Sequence, residues 1–242
     1  MNTSFLNLLL ITEAANPGRG GGCFAANSTV MTSKGAKKRL MDLQIGEEVL
    51  TVDSSSGELT FSPVIAFLDR DPKEPRQFFT IRTESGHTLT LTPTHLVYTV
   101  MPSQLKSAGT SADFWVNEVQ TSADFVAFEA MYAKDVQEGD LVLVQNGQGQ
   151  LKPTRVSAIE TKVLTGVYAP LTSAGNLVVD NVVASCYAVV DSQWVAHTAF
   201  APLRLMSSIW PSSPASITKG IHWYAKGLYS LAEFVMPNHL AP

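Results

Sequence analysis

Cysteine is scarce in this chain of 242 residues, which contains only Cys23 and Cys186. Two distant cysteines with no Cys-x-x-Cys spacing exclude a compact thiolate zinc site and a framework of several disulfides. Four of the five histidines also lack the spacing of metal ligands: His87, His197, His222 and His239. We therefore predict that the protein holds no metal.

The chain also has no excess of positive charge and no long apolar run. The chain has 17 Lys and Arg against 21 Asp and Glu, a net charge of −4, which argues against a nucleic-acid partner. No apolar run approaches the ~18 residues of a transmembrane helix. The apolar segment 5–11 is short and follows no basic residues, so a signal peptide is not evident.

Short segments rich in β-branched and aromatic residues fill most of the chain from Phe24 to Val190, with turn signals such as Ser85-Gly86 and Asn146-Gly147 between them. This pattern predicts an all-β domain. The predicted strands are 28–31, 48–52, 60–67, 78–82, 88–92, 96–101, 141–145, 155–159, 177–179 and 187–190.

An internal repeat refines this prediction. Residues 42–50 align without a gap on residues 135–143, and residues 57–66 continue onto 149–158 after one deletion. Nine positions are identical, where composition predicts roughly one or two. Two similar halves of the chain, each ending in an apolar strand near His95 or Cys186, indicate a duplicated β subdomain.

Cys23 follows the glycine run 20–22. A thiolate is a good nucleophile, and an unhindered glycyl carbonyl just before it is open to attack, so this arrangement is suited to self-cleavage at the Gly22–Cys23 bond through a thioester. On the tripeptide alone, a glycine linker that enters a domain at a buried cysteine is the commoner explanation.

Two further positions carry groups suited to proton transfer. Pro93 should break the strand after Thr92, which brings the side chains of Thr92 and His95 close together. His95 could then protonate a leaving amide nitrogen, with Thr92 positioning that amide, or it could simply be a hydrogen-bonded strand end. Asp69 could act as a general base, or it could pair with Arg70 or Arg76 at a surface turn.

The C-terminal part has a different character. Apolar residues recur at helical spacing in residues 199–210 and 221–236, and aromatic residues are frequent there. We predict two amphipathic helices. They could pack on the β domain, or they could present a site for a lipid or a membrane surface.

Taken together, these motifs resemble the autoprocessing half of hedgehog proteins. The resemblance is carried in order by Gly22-Cys23-Phe24, by residues 67–71, by residues 92–96, by residues 184–188 and, in the tail, by residues 201–205 and 220–225. It implies the Hint fold shared with inteins, an all-β disc with pseudo-twofold symmetry and a short helical C-terminal extension. The expected parts are a lead-in at 1–22, a Hint domain at 23–194 with repeats at about 24–100 and 115–190, and a sterol-recognition region at 195–242.

The resemblance also implies a single-turnover reaction. Cys23 would attack the Gly22 carbonyl with help from His95 and Thr92, and the hydroxyl of cholesterol, activated by Asp69, would then take the N-terminal fragment. Cholesterol is the expected partner and co-substrate, the chain's own N-terminal segment is the second substrate, and no cofactor is expected. A Hint module that cleaves with water or a thiol, and an inactive lipid-binding scaffold, are the alternatives.

Cys186 corresponds to the family's second cysteine, and we expect a free or transiently bridged thiol. The resemblance further implies the secretory pathway and peripheral membrane contact through the aromatic tail. The 22 residues before Cys23 do not resemble the end of the hedgehog signalling domain beyond the final glycine, so the expected chemistry does not extend to the signalling role.

Overall fold

A computed structural model of the protein describes residues 22–100, 129–188 and 197–209, together with 222, 224 and 227. The described part is built mainly from antiparallel strands that form one hydrogen-bonded sheet. The strands are β1 (Phe24–Ala25), β2 (Thr29–Met31), β3 (Lys37–Arg39), β4 (Glu48–Val52), β5 (Leu59–Thr83), β6 (Thr88–Leu91), β7 (His95–Val100), β8 (Glu129–Tyr132), β9 (Leu141–Gln145), β10 (Leu151–Thr172), β11 (Asn176–Val179) and β12 (Val182–Ala188). The all-β prediction is confirmed.

The two long strands β5 and β10 pair with each other from Thr83 opposite Val156 to Val64 opposite Thr172. The prediction of two separate strands with a surface turn across residues 68–77 is wrong, because this charged segment continues β5 and pairs with β10. Its main chain is satisfied by the ladder while many of its side chains reach solvent, an arrangement that antiparallel sheets allow.

The chain folds as two equivalent halves. A 3-10 turn, a short strand, a long strand and two further short strands follow one another in each half. They are residues 40–42, β4, β5, β6 and β7 in the first half, and residues 133–135, β9, β10, β11 and β12 in the second. The predicted pseudo-twofold fold is therefore confirmed, with β5 and β10 as the strands that join the halves.

Matching turn contacts show that the duplication extends to single hydrogen bonds. The Gly46 N–H donates to the Val64 carbonyl, and the Gly139 N–H donates to the Val156 carbonyl. Gly46 and Gly139 both have a positive φ, 90° and 93°, which a side chain disfavours. Identical glycines in the sequence repeat thus mark identical turns.

The apolar segments 89–96 and 177–186 are each divided by a tight turn. Asp180 and Asn181, both with positive φ (50° and 68°), form the hairpin turn between β11 and β12. His95 therefore opens β7, whereas Cys186 lies inside β12. The two residues are not equivalent positions of the repeat, although each lies near the end of its half.

The hydrophobic core draws residues from both halves of the chain. Phe24, Ile81, Leu91, Leu171 and Leu177 are completely buried in one cluster. Full burial of each such side chain stabilises the fold by about 1.5–3 kcal/mol. The candidate catalytic residues of the first half therefore lie on a hydrophobic core to which both halves contribute side chains.

The C-terminal segment packs on β12. It is helical at residues 197–199 and in α1 (Ala201–Ile209), and Phe200 stacks on Tyr187 with ring centroids 5.4 Å apart. Arg204 donates to the Tyr187 hydroxyl at 2.8 Å. The predicted helix 199–210 is present up to residue 209, whereas most of 221–236 and the domain boundary near 195 lie outside the described residues. Within the described part of the chain, no helix has the length and apolarity needed to cross a membrane.

Asn176 joins the two halves through its side chain, so its loss should destabilise the whole fold. Its Oδ1 accepts from the Val52 N–H and its Nδ2 donates to the Val52 carbonyl, both at 2.8 Å and both buried. Asn176→Ala removes both bonds, and we expect a loss of roughly 2–4 kcal/mol in the free energy of unfolding. Urea unfolding in a Cys23→Ala background measures it. Asn146→Ala is the control, because Asn146 caps an exposed turn; equal losses for both variants would contradict the role of Asn176.

Candidate active site

Cys23 is held in place by its own main chain. It lies immediately before β1 and is completely buried. Its N–H donates to Thr92 Oγ1 at 2.9 Å, and its carbonyl accepts the Thr92 N–H at 2.9 Å. This pair of bonds fixes the nitrogen of the Gly22–Cys23 peptide bond against the first residue after β6.

Pro93 breaks the strand as expected and brings His95 back towards Thr92. The His95 N–H donates to the Thr92 carbonyl at 3.1 Å, which closes the turn before β7. The imidazole is buried and packs against the Phe24 ring, with centroids 4.2 Å apart. The structure therefore brings Cys23, Thr92 and His95 together.

The hydrogen bonding of His95 fixes its tautomer. Nε2 lies 2.8 Å from the Ser185 carbonyl, which can only accept, so Nε2 carries the hydrogen. Nδ1 then carries the lone pair in the neutral ring, and it has no hydrogen-bond partner of good geometry among the described residues. Burial lowers the pKa of His95 to about 4, although the main chain of Ser185 and Gly22 acts in the opposite direction.

Gly22 is tightly enclosed by the same groups. A Cβ added at this position would lie 2.7 Å from His95 Cα and 2.8 Å from His95 Nδ1, and it would collide with the Ala188 Cβ. No side chain fits there without displacing the imidazole. The glycine therefore allows His95 to lie directly against the peptide bond before Cys23.

Asp69 reaches the sulfur from β5. Its Oδ2 lies 3.6 Å from Cys23 Sγ, and its side chain is almost completely buried. Of the two pairings considered from the sequence, the one with Arg76 is formed, with Arg76 Nη2 at 3.0 Å from Oδ2. Arg70 instead donates to the Met41 carbonyl and lies over the Phe67 ring.

An irregularity in the β5–β10 ladder allows Asp69 and Arg76 to meet. Residues seven apart in a regular strand point to opposite faces. Between them, however, Asp71 to Pro75 of β5 lie opposite Val167 to Thr165 of β10, so β5 has two more residues than β10 at this point and the ladder is irregular. Gly166 lies at this point with a φ of 95°.

The electrostatics of the thiol result from opposing influences. Burial raises the pKa of Cys23 well above its usual value and the Asp69 carboxylate raises it further, while Arg76 lowers it. Burial also raises the pKa of Asp69, and Arg76 opposes that shift. Cys23 is therefore protonated at rest, and Arg76 is the group that favours its thiolate.

The described residues show no group of three or more His, Cys, Asp or Glu side chains arranged to hold a metal ion. The buried thiol of Cys23 contacts the carboxylate of Asp69 and the guanidinium of Arg76. The adjacent Gly22–Cys23 peptide bond is contacted by the hydroxyl of Thr92 and lies next to the imidazole of His95. This arrangement is suited to acyl transfer from a backbone amide to sulfur.

Comparison with known proteins places this chain in a family. The family model for the Hint module matches residues 12–237, nearly the whole chain. The chain belongs to the Hint family.

Among its relatives are hedgehog proteins. The chain is 36% identical over 235 residues to protein hedgehog of Drosophila virilis, a match that covers 90% of this chain and 44% of that protein. It is 35% identical over 233 residues to sonic hedgehog protein of Danio rerio, covering 92% and 51%. The chain thus spans about half the length of the curated relatives it matches.

Solved inteins share the fold at low identity. The Ssp DnaB mini-intein variant M86 superposes with a TM-score of 0.52 at 12% identity, covering 71% of this chain and 97% of that one. A DnaB intein from Synechocystis gives a TM-score of 0.51 at 11% identity, covering 70% and 99%. The predicted Hint fold is confirmed by these likenesses.

A second pair of reciprocal hydrogen bonds, without a thiol, links β2 to the turn after β11. Thr29 opens β2 as Cys23 precedes β1, and Asp180 follows β11 as Thr92 follows β6. The Thr29 N–H donates to Asp180 Oδ1, and the Asp180 N–H donates to the Thr29 carbonyl, both at 2.8 Å. The reciprocal hydrogen bonds alone therefore do not mark a reactive site, which at Cys23 also contains the thiol, Asp69, Arg76 and His95.

Cys186 lies apart from this cluster. Its sulfur contacts the N–H and hydroxyl of Thr172, each at 3.5 Å, and burial raises its pKa to about 11. Both cysteines are free thiols in this structure. The proposed role of Cys186 as an auxiliary thiol stays a prediction.

Sequence reasoning did not assign roles to Arg76 and Ser185. Arg76 was recognised only as one of two partners for Asp69, because β5 was expected to end before it. Ser185 contributes a backbone carbonyl, which no side-chain pattern reveals. The available sequence signal for Arg76 is that it is a basic residue close to the candidate base Asp69. Residues 68–77 contain several charged residues, so this signal does not single out Arg76.

The depressed pKa of His95 predicts acid sensitivity. The unfolded ring titrates near 6.5 and the folded ring at about 4, so the stabilisation is present above pH 6.5 and is lost as the pH falls towards 4. In a Cys23→Ala background, the loss attributable to this group is roughly 3 kcal/mol. His95→Gln should remove that part of the pH dependence in urea titrations at pH 7 and pH 4. His87→Gln is the control, and an unaltered pH dependence in His95→Gln would count against the assignment.

Proposed function

We propose that this Hint module cleaves its own chain at the Gly22–Cys23 bond through a thioester on Cys23 and then transfers the N-terminal fragment to a sterol. The observation that carries the proposal is the set of groups around one peptide bond. The amide nitrogen is bound by Thr92, His95 lies against Gly22, and the attacking sulfur lies beside Asp69 and Arg76.

In the first step, Sγ of Cys23 attacks the Gly22 carbonyl carbon. The C–S bond forms, the C–N bond breaks, and the proton lost by the thiol ends on the released nitrogen, which leaves as the α-amine. Nδ1 of His95 carries a lone pair at rest, so it is suited to take up the thiol proton and pass it to this nitrogen, and its low pKa makes the protonated ring a strong acid. Because a thioester is less stable than an amide, this step is uphill, and strain in the enclosed peptide bond at Gly22 or protonation of the leaving nitrogen must offset the difference.

In the second step, an acceptor hydroxyl attacks the thioester. The O–C bond forms, the C–S bond breaks, and Asp69 takes the hydroxyl proton. The carboxylate is suited to this because burial raises its pKa, which makes it a stronger base than an exposed Asp. The N-terminal fragment leaves as an ester on Gly22.

The position of the C-terminal segment supports an acceptor bound near this carboxylate. The His222 N–H donates to the Leu68 carbonyl at 2.8 Å, next to Asp69 in β5. The Tyr224 hydroxyl donates to the Ala199 carbonyl, and Phe200 lies between the Tyr224 and Tyr187 rings. The segment is thus held at β12 and at the residue before the proposed base.

Cholesterol is the acceptor that the hedgehog likeness favours, with no cofactor and no metal required. We place the reaction in the secretory pathway, with peripheral contact between the C-terminal region and the membrane. Fractionation of cells that make the protein should find it with secretory membranes, and an exclusively cytosolic protein would contradict this location.

The acceptor step is tested by replacing Asp69 with Ala. Purified chains are incubated with dithiothreitol or with cholesterol in detergent, and the peptide 1–22 is analysed by intact mass. We expect Asp69→Ala to release the peptide with dithiothreitol, because removing the carboxylate also removes one cause of the high thiol pKa. With cholesterol, the rate should fall by about 10²–10⁴, the contribution of a general base.

Cys23→Ala is the control and should remain intact under both conditions. Cleavage at Gly22 in that variant would refute the thioester. Release with dithiothreitol but no sterol adduct from the unchanged chain would instead favour a module that uses water or thiols. An unchanged mass under all conditions would favour an inactive scaffold.

Docking of the C-terminal segment is tested at His222. His222→Pro removes the N–H that binds Leu68, whereas His222→Ala removes only the ring. We expect sterol transfer by the Pro variant to be slower than by the Ala variant by on the order of tenfold, the cost of one lost hydrogen bond. Release with dithiothreitol should be the same in both. Equal sterol rates would mean that this main-chain contact has no part in transfer.

A further inference from the structure

Arg76 contacts both reactive groups of the site with one planar side chain. Nη1 lies 3.5 Å from Cys23 Sγ, Nη2 lies 3.0 Å from Asp69 Oδ2, and Nε lies 3.9 Å from Glu74 Oε1. The Arg76 side chain is only 16% exposed, so its charge is poorly screened by water. A guanidinium can make such divergent contacts because its donors are fixed in a fork, which a lysine ammonium lacks.

We propose that Arg76 is a catalytic residue that stabilises the Cys23 thiolate twice, as the nucleophile of the first step and as the leaving group of the second. This rests on the proposed thioester mechanism and deepens it. In the first step the thiolate is consumed as the C–S bond forms. In the second step the C–S bond breaks, and the electron pair returns to the same sulfur beside the same guanidinium.

The surroundings of the sulfur explain why such a group is needed. A buried thiolate is costly because it leaves water, and Asp69 at 3.6 Å adds a like charge. The described charged groups that contact Sγ are Asp69 and Arg76, and Glu74 approaches the far side of the guanidinium. Arg76 is the cation among these groups, so it opposes the destabilisation of the thiolate by burial and by the Asp69 carboxylate.

A purely structural role is the alternative. Arg76 could serve only to neutralise Asp69, because a buried carboxylate without a partner destabilises a fold. The two roles give different results when Asp69 is also changed. If Arg76 acts only on Asp69, it becomes dispensable once the carboxylate is absent. If Arg76 acts on sulfur, it remains necessary.

The experiment compares Arg76→Gln, Arg76→Lys, Asp69→Asn and the double variant Asp69→Asn/Arg76→Gln. Arg82→Gln is the matched control, because Arg82 lies in the same strand and pairs at the surface with Glu160. Single-turnover release of peptide 1–22 by dithiothreitol is measured from pH 6 to 9. The rate of alkylation of Cys23 by iodoacetamide, resolved from Cys186 by peptide mass, is measured over the same range.

We expect Arg76→Gln to slow release at pH 7 by about 10²-fold, the effect of one charge-stabilising donor, and to shift both pH profiles to higher pH. Arg76→Lys should recover part of the rate, and Arg82→Gln should match the unchanged chain. The double variant should stay as slow as Arg76→Gln, since its neutral pair removes the folding penalty without restoring the cation. A double variant that releases peptide as fast as Asp69→Asn would overturn the proposal.

The alkylation profile separates this inference from the proposed function. If the unchanged chain releases no peptide, the self-cleavage proposal fails, yet Cys23 alkylation still reports on Arg76. An Arg76→Gln profile at higher pH than that of Arg82→Gln, with a double-variant profile at higher pH than that of Asp69→Asn, then supports the contact with the thiolate. Profiles that coincide within each of these two pairs would refute it.

Discussion

The site depends on a two-way hydrogen bond between the main chain of Cys23 and the residue that follows β6. Thr92 binds both the N–H and the carbonyl of Cys23, and in this way it fixes the nitrogen of the peptide bond between Gly22 and Cys23. The turn that carries Thr92 also carries His95, so the same few residues hold the amide and supply the imidazole. Burial of all these groups then removes water, which strengthens each polar contact in the low-dielectric interior.

A second pair of residues, Thr29 and Asp180, makes the same kind of reciprocal main-chain contacts between β2 and the turn after β11. There the side chain of Thr29 carries a hydroxyl, which donates to Asp180. The Thr29–Asp180 pair therefore links β2 to the turn after β11, whereas the candidate nucleophile, the candidate acid and the carboxylate–guanidinium pair lie around Cys23.

The charged pair Asp69 and Arg76 lies close to the place where the C-terminal segment contacts β5. Asp69 lies in β5 beside the residue whose carbonyl binds His222, and the irregular ladder at Gly166 turns Asp69 and Arg76 onto one face. In the proposed mechanism, cleavage involves the thiol, the amide and the imidazole, and transfer adds an acceptor close to the carboxylate. Both steps would take place at the same sulfur, which Asp69 and Arg76 of β5 contact and whose main chain is bound by the turn before β7.

The amino-acid sequence by itself determined the all-β class, the duplication and the turn at Pro93, because strand propensity, repeated glycines and the fixed φ of proline act locally. The family motifs also located Cys23, Asp69, Thr92 and His95. Only the tertiary structure decided that β5 runs unbroken through residues 68–77, that Arg76 meets both Asp69 and the thiol, and that Ser185 fixes the His95 tautomer. These contacts depend on a register shift and on a backbone carbonyl that is 90 residues away in the chain. Neither leaves a periodic signal in the sequence, since pairing between distant strands is set by how the two halves pack.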